Sequence, residues 1–342
     1  MSSTQETKPV AVLGAGSWGT ALAILLARNG IKTYLWGRDS ARMARFAHDR
    51  ENAVYLPGII FPDPLHLRED LVQLAGEVDR FLVVVPSRAF RETLEVIKPH
   101  VSAESTIAWA TKGLEPGSHK LLSEVTTEAL GTGIRTAVVS GPTFAREVAQ
   151  NLPTAVTAAS NQEAVAEEVA NWLRNDRFRV YTNTDLVGVQ LGGAIKNVIA
   201  IAAGISDGLG FGANARVALI TRGLAELTRL GLAMGGHPET FMGLAGVGDL
   251  ILTCTDDQSR NRRVGIALGQ GRNLSAILGE LGQEAEGVNT AHELLALSQQ
   301  HGVEMPITEQ TSRVLASECS PPEAVEALLS REPRAEGQQD SS

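Results

Sequence analysis

Lys196 is the one charged residue in the run LGGAIKNVIAI at 191–201. The small and apolar residues around it read as a helix buried on most of its sides. An ammonium there is costly to desolvate unless it is paired or used. Burial lowers a lysine's pKa and lets it exchange protons near neutral pH. Two kinds of reading stand side by side: a proton donor and acceptor, or a lysine that merely snorkels or forms a structural ion pair. Gly192, Gly193 and Ala200, one turn away, leave space for a ligand to approach. Downstream, Asp249 in GLAGVGDLILTC lies between glycines and an apolar run, a carboxylate suited to pair with a buried lysine.

Other residues suit phosphate. DDQSRNRRVG puts Ser259, Arg260 and Asn261 in succession at a helix start. Arg260 can grip a phosphate bidentately, with Ser259 and Asn261 completing the cradle. The alternative is a capped helix with a solvated basic face, which suits Arg262 and Arg263. Lys112 in WATKGLEPG is a lone cation in a glycine-flanked turn, fit for an anionic substrate or for cofactor phosphates, or else a surface lysine. Glu286 in QEAEGVNTAHEL can face a cofactor's ribose or amide. The histidines lie scattered, with no HExxH and no GxSxG, so metal catalysis and serine hydrolysis lack support and no metal site is expected.

VAVLGAGSWGTALAILLARNG supplies a dinucleotide turn between a strand and a helix. Gly14 allows the tight turn, Gly16 lets the backbone approach a pyrophosphate, and Gly19 lets the helix pack on the strand. The helix N-terminus then faces the phosphates. The second strand ends in WGRD. Arg38 can meet a 2′-phosphate and Gly37 leaves room for it, so NADPH is the preferred cofactor; Asp39 reaching back to the ribose would admit NADH.

These residues need a scaffold. Short β-branched runs alternate with helical stretches: Val10–Leu13, Lys32–Trp36, Arg80–Val85, Thr106–Ala110, Ala137–Ser140, Ala155–Ala159 and Arg179–Tyr181. Nearly all-apolar strands such as FLVVV belong in a parallel sheet covered on both faces. The expected class is α/β: an N-terminal Rossmann-like, doubly wound, mostly parallel sheet over 1–184, followed by an all-helical domain over 185–330. Residues 331–342, REPRAEGQQDSS, read as a frayed tail. Ligands bind beyond the carboxyl ends of the strands in such sheets, which is where Pro86–Ser87, Lys112 and Gly141–Thr143 fall.

The 342-residue chain is 43% hydrophobic and 20% charged, ordinary for a globular enzyme. A net charge of −9 argues against nucleic-acid binding but not against an anionic substrate in a local basic pocket. Cys254 and Cys319 form no CxxC pair, which fits a reducing cytoplasm. The N-terminus MSSTQETKP has no apolar signal region, and no run of roughly 18 apolar residues is present, so no membrane insertion is expected.

Taken together, GAGSWGTALA, WGR, VVPS, ATKGLE, SGPTFAREVA, LPTAV, GAIKNVIAIAAGISDGLGFGANARVALITRGLAE, GLAGVGDLILTC and SRNRRVG closely resemble the bacterial-type NAD(P)-dependent glycerol-3-phosphate dehydrogenases, in order over about residues 10–290. The resemblance implies interconversion of dihydroxyacetone phosphate and sn-glycerol 3-phosphate, serving glycerophospholipid synthesis, in a cytoplasmic homodimer. It implies that Lys196 moves the proton on the substrate oxygen. It also implies substrate contacts from Lys112, Gly141, Thr143, Lys196, Asp249, Ser259, Arg260 and Asn261, and cofactor contacts from Ser17, Trp18, Arg38, Lys112, Ala145, Arg260 and Glu286. Thr143 stands where many relatives carry serine and keeps the hydroxyl; Glu284 stands where the pattern has an apolar residue. The competing readings are a β-hydroxyacid or 6-phosphogluconate dehydrogenase and a non-catalytic NADP-binding sensor.

Overall fold

In a computed structural model, residues 8–332 are described; residues 1–7 and 333–342 of the expected tail lie outside them. Eight strands form one sheet in the order β3-β2-β1-β4-β5-β6-β7-β8: β1 (Val10–Leu13), β2 (Thr33–Trp36), β3 (Leu65–Arg68), β4 (Arg80–Val83), β5 (Thr106–Trp109), β6 (Arg135–Ser140), β7 (Thr154–Ala159) and β8 (Phe178–Asn183). All neighbours are parallel except β6 and β7, where Val138 opposes Ala159. Strand residues alternate between two cores. Val10, Val12, Leu82 and Ala108 pack under α1 (Ser17–Arg28), α6 (Ala145–Ala149) and α7 (Glu163–Leu173). Ala11, Leu13, Phe81, Val83, Ile107 and Trp109 pack under α3 (Leu71–Ala75), α4 (Phe90–Ile97) and α5 (Leu122–Leu130). The remaining helix of this half is α2 (Ser40–Asp49). With both faces covered, the central strands are apolar throughout.

β3 is absent from the sequence reading. Its residues LHLR are half polar, they follow Pro62 and Pro64, and the strand lies at the sheet edge, where burial asks little of the pattern.

The register aligns Leu13 with Trp36 and Val83, and Val83 with Trp109, so the turns after β1, β2, β4, β5 and β6 open at one edge of the sheet. The helical half stands over that edge. It comprises α8 (Leu186–Gly208), α9 (Ala213–Ala233), α10 (Pro238–Phe241), a π-helical turn (Leu244–Gly248), α11 (Asp249–Thr255), α12 (Arg260–Gly269), α13 (Leu274–Leu281), α14 (Glu286–Gln300), α15 (Pro306–Leu315) and α16 (Pro321–Leu329). The join is short: Asp185, directly after β8, caps α8 through Gly188 N at 2.7 Å and accepts from His237 N at 2.8 Å.

α8 is apolar enough, at a mean hydropathy of 1.6, and long enough to cross a bilayer, a length of apolar helix that the sequence reading did not expect. In the fold 94% of its apolar window is buried by protein, so it is the core about which the helical half is built. Its tightest crossing is with α12 and uses glycine on both sides. A Cβ on Gly204 would lie 2.1 Å from Arg262 O, and one on Gly208 2.3 Å from Ile266 O. From the other side, a Cβ on Gly265 would meet Ile201 O at 2.0 Å and one on Gly269 would meet Ile205 O at 2.5 Å. Backbone therefore touches backbone, and α12 is pinned along the C-terminal turns of α8. Gly265→Ala is expected to lower stability by about 1–3 kcal/mol through overpacking and to raise KM for the phosphorylated substrate more than KM for the cofactor, read by thermal denaturation and steady-state kinetics.

Candidate active site

Lys196 projects from the middle of α8 and is almost wholly buried. Its Nζ donates to Asp249 Oδ1 at 2.6 Å and to Thr253 Oγ1 at 2.8 Å. Asp249 is 0% exposed and divides its oxygens between two ammonium groups: Lys112 Nζ donates to Oδ2 at 2.7 Å and also to Gly141 O at 3.0 Å. Thr253, one turn along α11, donates to Asp249 O at 2.6 Å and so fixes the helix end that carries the carboxylate. Two cations on one anion leave this floor with a positive balance, suited to an anionic substrate. Burial, opposed by the charge of Asp249 and assisted by that of Lys112, brings Lys196 down from an ordinary 10.5 to about 8.

The glycines beside Lys196 serve a purpose the sequence reading did not assign. A Cβ on Gly192 would lie 2.1 Å from Ala245 O, and one on Gly193 would lie 2.8 Å from Ser140 Oγ and 3.4 Å from Lys112 Cγ. That space is filled by protein, and it is what lets the Asp249 segment and Lys112 close on Lys196.

Ser259 is the N-cap of α12, its Oγ accepting from Arg262 N at 3.2 Å. Capping uses the hydroxyl only as acceptor, so its proton stays free. Arg260 lines the cleft with one protein hydrogen bond from Nη1, to Gln283 Oε1 at 3.4 Å, and burial holds its pKa below the ordinary arginine value. Among the described residues no carboxylate lies in ion-pair range of Arg260, so its guanidinium stays available to an anion. Asn261 Nδ2 donates to Asn197 Oδ1 at 2.9 Å while its Oδ1 accepts from Gly287 N at 3.0 Å. Asn197 and Asn261 both line the cleft. Arg262 departs from the expected solvated face: it is buried and bound to Asp207 at 2.5 Å and Asp257 at 3.1 Å. Arg263 is exposed at the cleft mouth.

The same cleft, about 1150 Å³, runs on to the glycine turn. Gly14 holds φ +123, and a Cβ on Gly19 would lie 1.8 Å from Gly14 O, so both positions require glycine. Gly16 meets nothing within 4 Å, which leaves its backbone open to a ligand, and Ser17 and Ala145 line the wall. The indole N–H of Trp18 is buried in this wall without a partner, a donor awaiting a ligand. The fit to a dinucleotide is therefore good. At the far end Arg38 is exposed on the lining. Asp39 caps α2 through Arg42 N at 2.9 Å, and Arg42 lies alongside, donating to Tyr55 OH at 2.8 Å. Gly37 is packed by Met43 Sδ and Ala15 Cβ, so the room expected there is already taken.

Glu286 crosses from the helical half to the sheet: Ser87 Oγ donates to Oε2 at 3.0 Å and Ser87 N to Oε1 at 3.4 Å. Burial raises its carboxyl to about 7, against the hydrogen bonds from Ser87. Glu284 bridges the halves through Arg88 at 3.1 Å. The hydroxyl of Thr143 turns inward, donating to Gly141 O at 3.2 Å. Thr253, Arg42 and Tyr55 also line the site and escaped the sequence reading as ligand contacts, while Asn197, whose contact with ligand the sequence leaves open, lines it too. Only Thr253 carried a signal there, lying one helical turn past Asp249 in DLILTC.

Comparison with known proteins follows the same outline. The family described as NAD-dependent glycerol-3-phosphate dehydrogenase matches in both parts, its N-terminus over residues 9–166 and its C-terminus over 185–326. A Pseudoalteromonas translucida protein named glycerol-3-phosphate dehydrogenase [NAD(P)+] is 57% identical over 96% of this chain and 99% of its own. A Pasteurella multocida protein of the same name is 53% identical over 98% and 100%. The crystal structure of glycerol-3-phosphate dehydrogenase from Coxiella burnetii, 49% identical, superposes with a TM-score of 0.92 over 95% of this chain and 99% of that one.

Removing the central carboxylate leaves a buried and a half-buried ammonium group facing each other. Asp249→Ala is expected to cost about 3–5 kcal/mol, read as a lowered denaturation midpoint; an unchanged midpoint would mean that the lysines do not depend on it.

Proposed function

The chain belongs to the NAD-dependent glycerol-3-phosphate dehydrogenase family, and from that premise we propose how its residues divide the reaction and which cofactor they favour. It is an NAD(P)-dependent oxidoreductase that interconverts dihydroxyacetone phosphate and sn-glycerol 3-phosphate. The observation that carries the assignment of roles is Lys196, held by Asp249 and Thr253 at the floor of a cleft that joins the glycine turn to Arg260.

Arg260 anchors the substrate phosphate, with the free proton of Ser259, the second N–H of Asn261 and the N-terminal amides of α12 around it. That remote binding energy is spent on orienting the ketone. Lys112 and Lys196 present two positive charges to the ketone end, and Asp249 keeps them from moving apart. A bound nicotinamide cofactor supplies the hydride, which is its own chemistry. As negative charge develops on the substrate oxygen, Lys196 gives it a proton; in the reverse direction neutral Lys196 takes that proton back. Gly141 and Thr143 frame the substrate through the carbonyl that holds Lys112. Gly14, Gly16, Ser17, Trp18, Gly19, Ala145 and Glu286 line the cofactor's path, and Glu286 ties the two halves of the cleft together over it.

NADPH is the favoured cofactor. Support comes from Arg38 and Arg42, two guanidinium groups at the end of the second strand, and from Asp39, whose carboxylate is engaged in capping α2. A 2′-phosphate gains from such cations, while a ribose 2′-OH would want the carboxylate free. On the family resemblance we place the enzyme in the cytoplasm as a homodimer that supplies glycerol 3-phosphate to glycerophospholipid synthesis.

Three outcomes follow. Lys196→Ala is expected to lower turnover about 10²–10⁴-fold while NADPH still binds, which separates the enzyme from a sensor that merely holds the dinucleotide. In the parent enzyme, ketone reduction needs the ammonium, so its kcat falls as pH rises through about 8, and glycerol 3-phosphate oxidation rises over the same interval. For cofactor choice, Arg38→Ala is expected to raise KM for NADPH about tenfold, the loss of one charge-assisted contact, and to leave KM for NADH nearly unchanged; equal effects on both would refute the 2′-phosphate role.

A further inference from the structure

Lys112 rides on the connection between β5 and α5, residues 110–121, and this connection belongs more to the helical half than to the sheet. Leu114 and Leu121 pair as an isolated antiparallel bridge, and both are buried in one cluster with Leu191, Ala291 and Leu294. Glu286, Thr290 and Glu293 occupy one face of α14, spaced as successive turns, and all three address the sheet side. Glu286 holds Ser87. The hydroxyl of Thr290 would lie 3.2 Å from a Cβ on Gly113. Glu293 is 6% exposed, and its Oε2 accepts from Gly117 N at 3.1 Å and from His119 Nδ1, which carries the proton because a carboxylate only accepts.

The backbone under this clamp is strained. His119 sits at φ +60 and Gly117 at φ +82. A non-glycine residue in the left-handed region persists only where its surroundings hold it there. On the loop's other side Arg91 grips Glu115 through two bonds of 2.6 and 2.7 Å, and Ser118 donates to the same carboxylate at 2.5 Å. The side chains facing His119 are Glu293 and His292 of α14, and its own backbone N–H donates to the Glu115 carbonyl.

We propose that Glu293 is a positioning residue for the reaction: by holding Gly117 and His119 it fixes the 113–121 loop and keeps the Lys112 ammonium on Asp249. It sits on α14 outside the cleft lining and acts only through Lys112. The inference rests on the role given to Lys112 above. Loosening the clamp lets Lys112 retreat, which removes one positive neighbour from Lys196 and leaves Asp249 wholly to it. Of the charged or titratable groups around Lys196, which are Asp249, Lys112 and Cys254, only Lys112 is moved by this change. Both consequences favour the Lys196 ammonium, so the pH at which reduction fails moves upward.

The test compares Glu293→Ala, Glu293→Gln and His119→Ala for kcat, KM and the pH profile of dihydroxyacetone phosphate reduction. Glu293→Ala should lower kcat/KM for the ketone about tenfold or more and move the falling limb of kcat upward by roughly half a pH unit or more. Glu293→Gln, which still accepts from Gly117 N, should recover most of both. If folded Glu293→Ala keeps its kcat/KM and its pH limb, even with a lowered melting temperature, the clamp is structural only and the proposal is overturned. If that variant does not fold, His119→Ala decides on the same two readouts. Lys112→Ala separates the two levels. Full turnover in that variant overturns the role of Lys112 and the clamp together, whereas loss there with a normal Glu293→Ala overturns the clamp alone.

Discussion

One buried carboxylate organises the catalytic end of this protein. Asp249 has no contact with solvent and holds Lys196 at 2.6 Å and Lys112 at 2.7 Å, one ammonium from each half of the chain. Neither lysine would tolerate its place without it, since an unpaired buried charge is far more costly than a paired one. The arrangement also creates a conflict that serves chemistry. Burial and the second lysine push Lys196 toward losing its proton while Asp249 resists, and the balance falls at about 8. A group so placed can give and take a proton at physiological pH.

Much of the surrounding architecture reads as a means of bringing backbones close enough for this trio. Gly192 admits the turn that leads to Asp249, and Gly193 admits Lys112 and Ser140. The glycine pairs of α8 and α12 bring Ser259, Arg260 and Asn261, the proposed phosphate cradle, toward α8. The cofactor turn uses glycine the same way at Gly14 and Gly19, and leaves Gly16 bare toward the cleft. Small residues are spent where two chain segments must touch, and polar ones where a ligand must.

How much of this was legible in the sequence depended on the kind of signal. The sheet was, because strands covered on both faces are apolar along their whole length; β3, half polar at the edge and following two prolines, gave no such mark. A lysine alone in an apolar helix demanded a partner, and Asp249, between glycines and an apolar run, was the carboxylate suited to it. The glycines at 192 and 193 were misread as room for substrate, since a sequence cannot say whether the neighbour at a missing side chain is ligand or protein. Arg262 looked solvated beside Arg263, but its buried partner Asp207 is brought by the α8–α12 crossing, a tertiary fact. Thr253 and Glu293 were passed over for a related reason: a polar residue on a half-buried helix shows its purpose only once its neighbours from other elements are known.

The account turns on the charge state of Lys196, and that can be observed at the residue itself. Incorporating ¹³C-labelled lysine and assigning the Lys196 ε-carbon by its loss in Lys196→Met would allow its titration to be followed by NMR. A midpoint near 8, rising when Lys112 is replaced by methionine, is what the buried trio predicts. A midpoint near the ordinary 10.5, indifferent to Lys112, would contradict it.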